Sequence, residues 1–277
     1  RFLVSGMILG PTRLWLCLPF SLVRVRSPSL NRGFCHEAFV DGDSKMTLQP
    51  VMKFPGVYSE RKGRFTNYFV RSPDGKPCFG ERVLRKGALS YRQVDPSRSK
   101  LFAAIAKGIS QIGFKEDSAV LYLGASHGYT VSFLADMLVK GHVFAMDVAP
   151  RVMRDLVFLA EAKKNIAPFL ADANRPQTYP SPFADGKKPC ALQVDVVFMD
   201  IAQKNQVEIF QKNCERFLKP GGFGLLALKS RSVDVTKQPR LIFKEVRAQL
   251  QQLYTVVDYR ELAPFQEDHA LFVVKKT

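Results

Sequence analysis

Histidine, cysteine and tryptophan are scarce in this 277-residue sequence, which holds four, five and one of them. His36, His127, His142 and His269 form no local cluster with Cys17, Cys35, Cys78, Cys190 and Cys214, and no two cysteines have the short spacing of a zinc or thioredoxin motif. A structural metal has no support, so no metal ligands are expected, and the odd number of cysteines reads as reduced, non-catalytic thiols. Long apolar runs are missing as well. The run Leu14 to Leu22 is shorter than the roughly 20 apolar residues that cross a bilayer, so neither a transmembrane helix nor a membrane partner is expected. There is no repeat and no long low-complexity tract. Acidic residues are outnumbered, 25 against 41 Lys and Arg, and the resulting charge of +16 favours a polyanionic partner such as nucleic acid. With 46% apolar and 24% charged residues, wholesale disorder, collagen and coiled coil are poor descriptions; one substantial core with a small appendage is expected.

The first 45 residues stand apart. Between Arg1 and His36 there are five arginines, no lysine and no acidic residue, the composition of a mitochondrial transit segment, although Pro11, Pro19 and Pro28 interrupt any long amphipathic helix. An upstream extension of a gene model is the equal alternative, with Met7 or Met46 as the start; under either reading residues 1–45 are a leader outside the fold. Setting aside the six basic and three acidic residues of the leader leaves about +13 on residues 46–277. Part of it is concentrated at Arg61, Lys62, Arg64, Arg71, Lys76, Arg82, Arg85 and Lys86, with Phe65, Tyr68, Phe69 and Phe79 between them. A solvated surface and a ribonucleoprotein-facing patch both fit that pattern.

Residues 46–94 read as a small β-rich domain in which Phe65 to Arg71 and Cys78 to Leu84 form a hairpin about the turn signal Pro73-Asp74-Gly75. Residues 95–277 alternate strand and helix. A helix is expected over 97–109 from the spacing of Leu101, Ile105 and Ile109, and further helices over 130–139, 151–163, 203–217 and 244–253. Strands are expected over 119–123, 143–147, 166–170, 194–200 and 223–228, with an antiparallel edge formed by 255–261 and 269–274. Near-continuous apolar strands separated by helices indicate a mainly parallel sheet covered on both faces, an α/β fold.

Gly124-Ala125-Ser126-His127-Gly128 lies between a strand and a helix, where Gly124 and Gly128 would let backbone approach a ligand facing the helix N-terminus. The spacing is one residue off the dinucleotide fingerprint. Asp147, at the end of the next strand, would suit ribose hydroxyls, and Asp172 an adenine amino group. Together these suggest a nucleoside-bearing cofactor; the bland alternative is that both acids only punctuate strand ends.

From about Val57 to Val274 the sequence resembles fibrillarin, the methyltransferase of box C/D guide-RNA particles. The likeness is carried by Asp95-Pro96-Ser97-Arg98-Ser99-Lys100-Leu101, Val120-Leu121-Tyr122-Leu123-Gly124-Ala125, 195–203 (DVVFMDIAQ) and Glu267-Asp268-His269-Ala270. The resemblance implies a Rossmann-like, seven-stranded, mostly parallel methyltransferase sheet behind the small β-rich domain, with S-adenosylmethionine as cofactor. It maps the family's Lys-Asp-Lys-His set onto Lys100, Asp200, Lys229 and His269, and its cofactor positions onto Gly124, Ala125, Thr130, Asp147, Asp172 and Gln203. Similar ribose methyltransferases place Glu fourth, so His269 favours the fibrillarin branch. Two departures stand out: Ser126-His127-Gly128-Tyr129-Thr130 replaces the usual Ala-Ser-Gly-Thr-Thr, and Asp147 replaces the usual Glu.

The activity implied is ribose 2'-O-methylation of rRNA, guided by box C/D RNA and a Nop-domain scaffold protein. Glutamine methylation of a histone and a non-catalytic RNA-binding assembly subunit are the alternatives. Asp200 is the leading candidate to orient or deprotonate the hydroxyl, Lys229 to stabilise oxyanion character, and Lys100 and His269 to hold ribose and phosphate. The family implies nucleus and nucleolus; nothing before Val57 resembles its eukaryotic Gly/Arg-rich tail, and the arginine-rich leader keeps mitochondrion as the alternative.

Overall fold

The computed structural model describes residues 47–180 and 192–277. The arginine-rich leader, both candidate start methionines and Cys17, Cys35 and Cys190 lie outside the described residues.

Five strands form the first sheet: β1 (Gln49–Pro50), β2 (Val57–Lys62), β3 (Phe65–Ser72), β4 (Val83–Lys86) and β5 (Leu89–Val94). Their order is β1-β2-β3-β5-β4, antiparallel throughout. Two hairpins share one local chemistry. Lys62 pairs with Phe65 across Gly63-Arg64, and Lys86 with Leu89 across Gly87-Ala88, each glycine at positive φ in the first turn position. The expected pairing of 65–71 with 78–84 is therefore corrected. β3 pairs with β2 and β5, and most of 73–82 is a loop drawn around Glu81, whose carboxylate accepts the Cys78 and Phe79 N–H groups at 2.8 and 2.7 Å.

After a 3-10 turn at Pro96–Arg98, the second sheet is built from α1 (Lys100–Ala106), β6 (Ala119–Leu123), α2 (Tyr129–Met137), β7 (His142–Asp147), α3 (Pro150–Ala162) and β8 (Ile166–Leu170). Then come β9 (Val194–Met199), α4 (Gln206–Phe217), β10 (Leu218–Lys229), α5 (Ser230–Val233), α6 (Pro239–Gln251), β11 (Thr255–Glu261) and β12 (His269–Lys275). The order is β11-β12-β10-β9-β6-β7-β8, with only β12 antiparallel to its neighbours. This is the expected seven-stranded, mostly parallel sheet.

Some boundaries move for local reasons. Ser99 caps α1, so the helix starts at Lys100, and it stops before Gly108, whose φ is +76°. Pro239 occupies the first turn of α6, five residues earlier than expected. Pro220-Gly221-Gly222 sits inside β10 as an irregularity between Leu218 and Phe223, and the Lys276 ammonium bonds the carbonyls of Cys214, Glu215 and Leu218 at the end of α4.

One apolar layer joins the inner residues Val57, Val70 and Val94 of the first sheet to Leu101, Phe102 and Met137; the other face of the second sheet packs on α4 and α6. Between the sheets lies a buried ionic network. Arg92, fully buried, donates to Glu81 at 2.5 Å and to Asp136 at 2.7 Å, and Lys163 reaches Asp136 at 2.5 Å. The chain runs from β6 outward through β7 and β8, then returns to β9 and β10. A crevice therefore opens at the C-terminal ends of β6 and β9, where open α/β sheets bind ligands.

Candidate active site

Gly124 follows β6 with φ at +83°, and Asp200 follows β9 and donates its N–H to the Leu123 carbonyl at 2.9 Å. The approach is so close that a Cβ on Gly124 would lie 2.5 Å from the Asp200 carbonyl oxygen; only glycine fits. These residues border a cavity of about 220 Å³ whose lining includes Gly124, Asp147, Val148, Asp172, Asp200 and Gln203. Asp147, at the end of β7, accepts Ser126 N–H at 2.8 Å and Ala149 N–H at 3.0 Å, so the shorter acid is used to shape the glycine loop. Ser126 itself takes a positive φ of 49°. Asp172 accepts both Asn174 donors, and Asn174 in turn donates to Gln203 at 3.0 Å. Val148 is 59% exposed and supplies an apolar shelf beside the two carboxylates.

Not every candidate residue faces this cavity. The Ala125 side chain is buried in the core, and Gly128 lies beneath Leu156 and Leu159, where a Cβ would come within 3 Å of both. Thr130 is buried, its hydroxyl 2.9 Å from that of Ser99 and within bonding reach of Tyr122. It ties the cap of α1 to the start of α2. His127 turns outward and pairs with Asp155 of α3 at 2.7 Å.

The four candidate reacting residues converge. Lys100, at the first turn of α1, meets Asp200 through both carboxylate oxygens, at 2.8 and 3.1 Å, with the side chains 22% and 19% exposed. Lys229 and His269 face each other in register on β10 and β12. Burial lowers the His269 pKa below its ordinary 6.5, and the charges of Lys100 and Lys229 add to this against the Glu267 carbonyl bond and the charge of Asp200. The imidazole is consequently neutral at pH 7. Its Nδ1 lies 2.6 Å from the Glu267 carbonyl, an acceptor, so Nδ1 carries the proton and Nε2 is left to accept.

Sequence reasoning missed the residues that hold these four in place. Gln206, fully buried, accepts Lys229 N–H at 2.9 Å and returns a bond to its carbonyl at 3.1 Å. Ser230 donates to the Asp268 carbonyl, bracing the turn before His269. Ser99 had a legible signal as the helix cap before Lys100; Gln206 and Ser230 had none, because their partners are distant in sequence.

The fibrillarin family model matches residues 48–277. The chain belongs to the fibrillarin family. A protein named fibrillarin-like rRNA/tRNA 2'-O-methyltransferase from Pyrococcus horikoshii is 40% identical over 228 residues, covering 81% of this chain and 97% of the relative. Among solved structures, Aeropyrum pernix fibrillarin with natively bound S-adenosyl-L-methionine superposes with a TM-score of 0.72 at 32% identity, covering 82% of this chain and 97% of that one. A fibrillarin/Nop5p complex gives 0.68 at 35% identity, covering 76% and 94%. The crevice suits that sulfonium nucleoside on its own donor set. Gly124 leaves room for close approach, Asp147 and Asp172 offer acceptors on neighbouring strand ends, and Val148 offers an apolar face.

Proposed function

We propose that this chain transfers a methyl group from S-adenosylmethionine to a ribose 2'-hydroxyl of RNA, ribosomal RNA foremost, within a guide-RNA particle that includes a Nop-domain scaffold. One observation carries the reading: the paired Lys100 and Asp200, with Lys229 and neutral His269, gather at the end of the same crevice that Gly124, Asp147 and Asp172 border. The names of the family relative and of the solved complex support the RNA substrate and the scaffold.

When bound, S-adenosylmethionine supplies a methyl on positively charged sulfur, which the ribose oxygen takes as the sulfur–carbon bond breaks and leaves a neutral thioether. Asp200 accepts the hydroxyl hydrogen bond and receives its proton as the new oxygen–carbon bond forms. Lys100 fixes the carboxylate through both oxygens, so the acceptor is oriented before the hydroxyl arrives. The Lys229 ammonium stabilises negative charge growing on the ribose oxygen. His269 Nε2 accepts a further hydroxyl or water hydrogen.

Particles assembled with residues 46–277, a matching guide and scaffold, and labelled S-adenosylmethionine test this. Label is expected at one ribose, and Asp200→Ala is expected to lower the rate by about 100-fold or more, the lower bound for general base catalysis. Cofactor binding without transfer in assembled particles would reject the enzymatic reading in favour of a binding subunit.

A further inference from the structure

Two residues before Lys100, the Arg98 guanidinium lies over the Tyr129 ring, 4.1 Å from its centroid. Tyr129 is firmly held. Its hydroxyl accepts Asp95 N–H at 3.0 Å, and its ring meets Phe79 and Phe133 edge-on at 5.4 and 5.2 Å. The turn carrying Arg98 is braced as well, because Asp95 accepts Ser97 N–H at 2.8 Å and Gln266 donates to the Ser97 carbonyl. Arg98 is exposed, and among the described residues its guanidinium makes no ion pair or hydrogen bond, whereas Arg92, Arg231 and Arg260 each have a carboxylate. A planar cation pinned on an aromatic face with its donors free matches the bidentate geometry of a phosphate.

Its surroundings extend the match. Arg98 and Tyr129 border a groove of about 430 Å³ that continues past Gln93 of β5 to Thr66 and Asn67 of β3. Gln93, Thr66 and Asn67 suit sugar and phosphate oxygens; Glu81, Arg82 and Asp95 also line the groove, the Glu81 carboxylate being taken up by Arg92 and the Cys78 and Phe79 N–H groups and the Asp95 carboxylate by Ser97. Arg98 and Lys100 are separated by at most about 7 Å of chain, the scale of a single nucleotide step.

We propose that Arg98, seated on Tyr129, binds an RNA backbone phosphate next to the ribose presented to Asp200, and that the groove carries the flanking nucleotides onto the first sheet. The inference rests on the RNA methyl-transfer reading and adds the path of the strand. The full chain, as wild type, Arg98→Ala and Arg98→Lys, is titrated with a uridine-rich single-stranded oligoribonucleotide over a salt series, with S-adenosylmethionine affinity measured alongside. Arg98→Ala is expected to weaken RNA binding on the order of tenfold at low salt, as loss of a charged hydrogen bond does. It should also reduce the log–log salt slope by about 0.7, one phosphate's share for a single strand. S-adenosylmethionine affinity should stay at the wild-type value. Arg98→Lys should restore the slope but not the full affinity, since an ammonium keeps the charge without the fork.

An unchanged slope overturns the proposal. A parallel fall in RNA and S-adenosylmethionine affinity also overturns it, by making Arg98 structural, as does an unchanged slope with weakened binding to a Nop-domain protein. Methyl transfer by the wild-type particle is scored separately: no transfer there refutes the enzymatic reading, whereas the salt slope decides Arg98.

Discussion

At the scale of single residues, His269 links site electrostatics to a measurable pH dependence. Its lowered pKa means that the ring is neutral above 6.5 and takes up a proton only as pH falls through a still lower value. Protonation would remove the Nε2 acceptor and place a third cation beside Lys100 and Lys229. The acid limb of kcat due to this ring is thus expected below pH 6.5, and His269→Asn should abolish it; a limb unchanged in that variant would show that another group titrates. Folding carries the same sign. A histidine that is harder to protonate when folded contributes stability above its ordinary pKa and loses it as pH falls through the lowered value. The four-residue set was legible through the family resemblance: Lys100, Asp200 and His269 lie in the matching motifs, and Lys229 follows the apolar run 223–228. Thr130, Ala125 and Gly128 share such a motif with Gly124, yet their side chains or faces turn into the core, a distinction that loop spacing does not encode.

At the scale of elements, the parallel strands were readable and the first sheet was not. Ala119–Leu123 matches its expected limits because a buried strand is an apolar run with polar ends. The 65–84 region misled because Pro73-Asp74-Gly75 is a strong turn signal, whereas the hairpins form at Lys62-Gly63-Arg64-Phe65 and Lys86-Gly87-Ala88-Leu89. Of the aromatic residues interleaved with the basic ones, Phe69 is fully buried, Tyr68 is half-buried and Phe79 packs on Tyr129, while Phe65 is 77% exposed. What decides this sheet is non-local, above all the placement of Glu81 and Asp136 around Arg92. Arg92→Leu leaves Glu81 without its cation and Asp136 with Lys163 alone, which is expected to cost about 3–5 kcal/mol. Urea unfolding should show a lower midpoint with an unchanged slope. A loss under about 1 kcal/mol would mean that the network relaxes or hydrates, and that apolar contact alone joins β5 to α2.

At the scale of the molecule, the question is whether residues 46–94 are a domain in their own right. The sequence suggests so, because strand-rich text gives way to alternating strand and helix at Asp95. The packing argues for cooperation instead. The described residues of both sheets cluster as one compact unit, and the inner face of the first sheet contributes Val57, Val70 and Val94 to the same apolar layer as Leu101, Phe102 and Met137. Removing that sheet would expose this layer and take from Asp136 the Arg92 side of its pairing, leaving a buried carboxylate with one cation. Each loss is several kcal/mol, comparable to the whole stability of a domain this size. Residues 46–277 are therefore expected to melt in one transition by calorimetry and by near-ultraviolet dichroism alike, and residues 95–277 alone to give no cooperative transition. Two separated transitions, or a well-folded 95–277 fragment, would establish the first sheet as an appended domain. In that case the groove beside Arg98 would span a movable joint, and the RNA path across it would be set by the bound strand instead of by the fold.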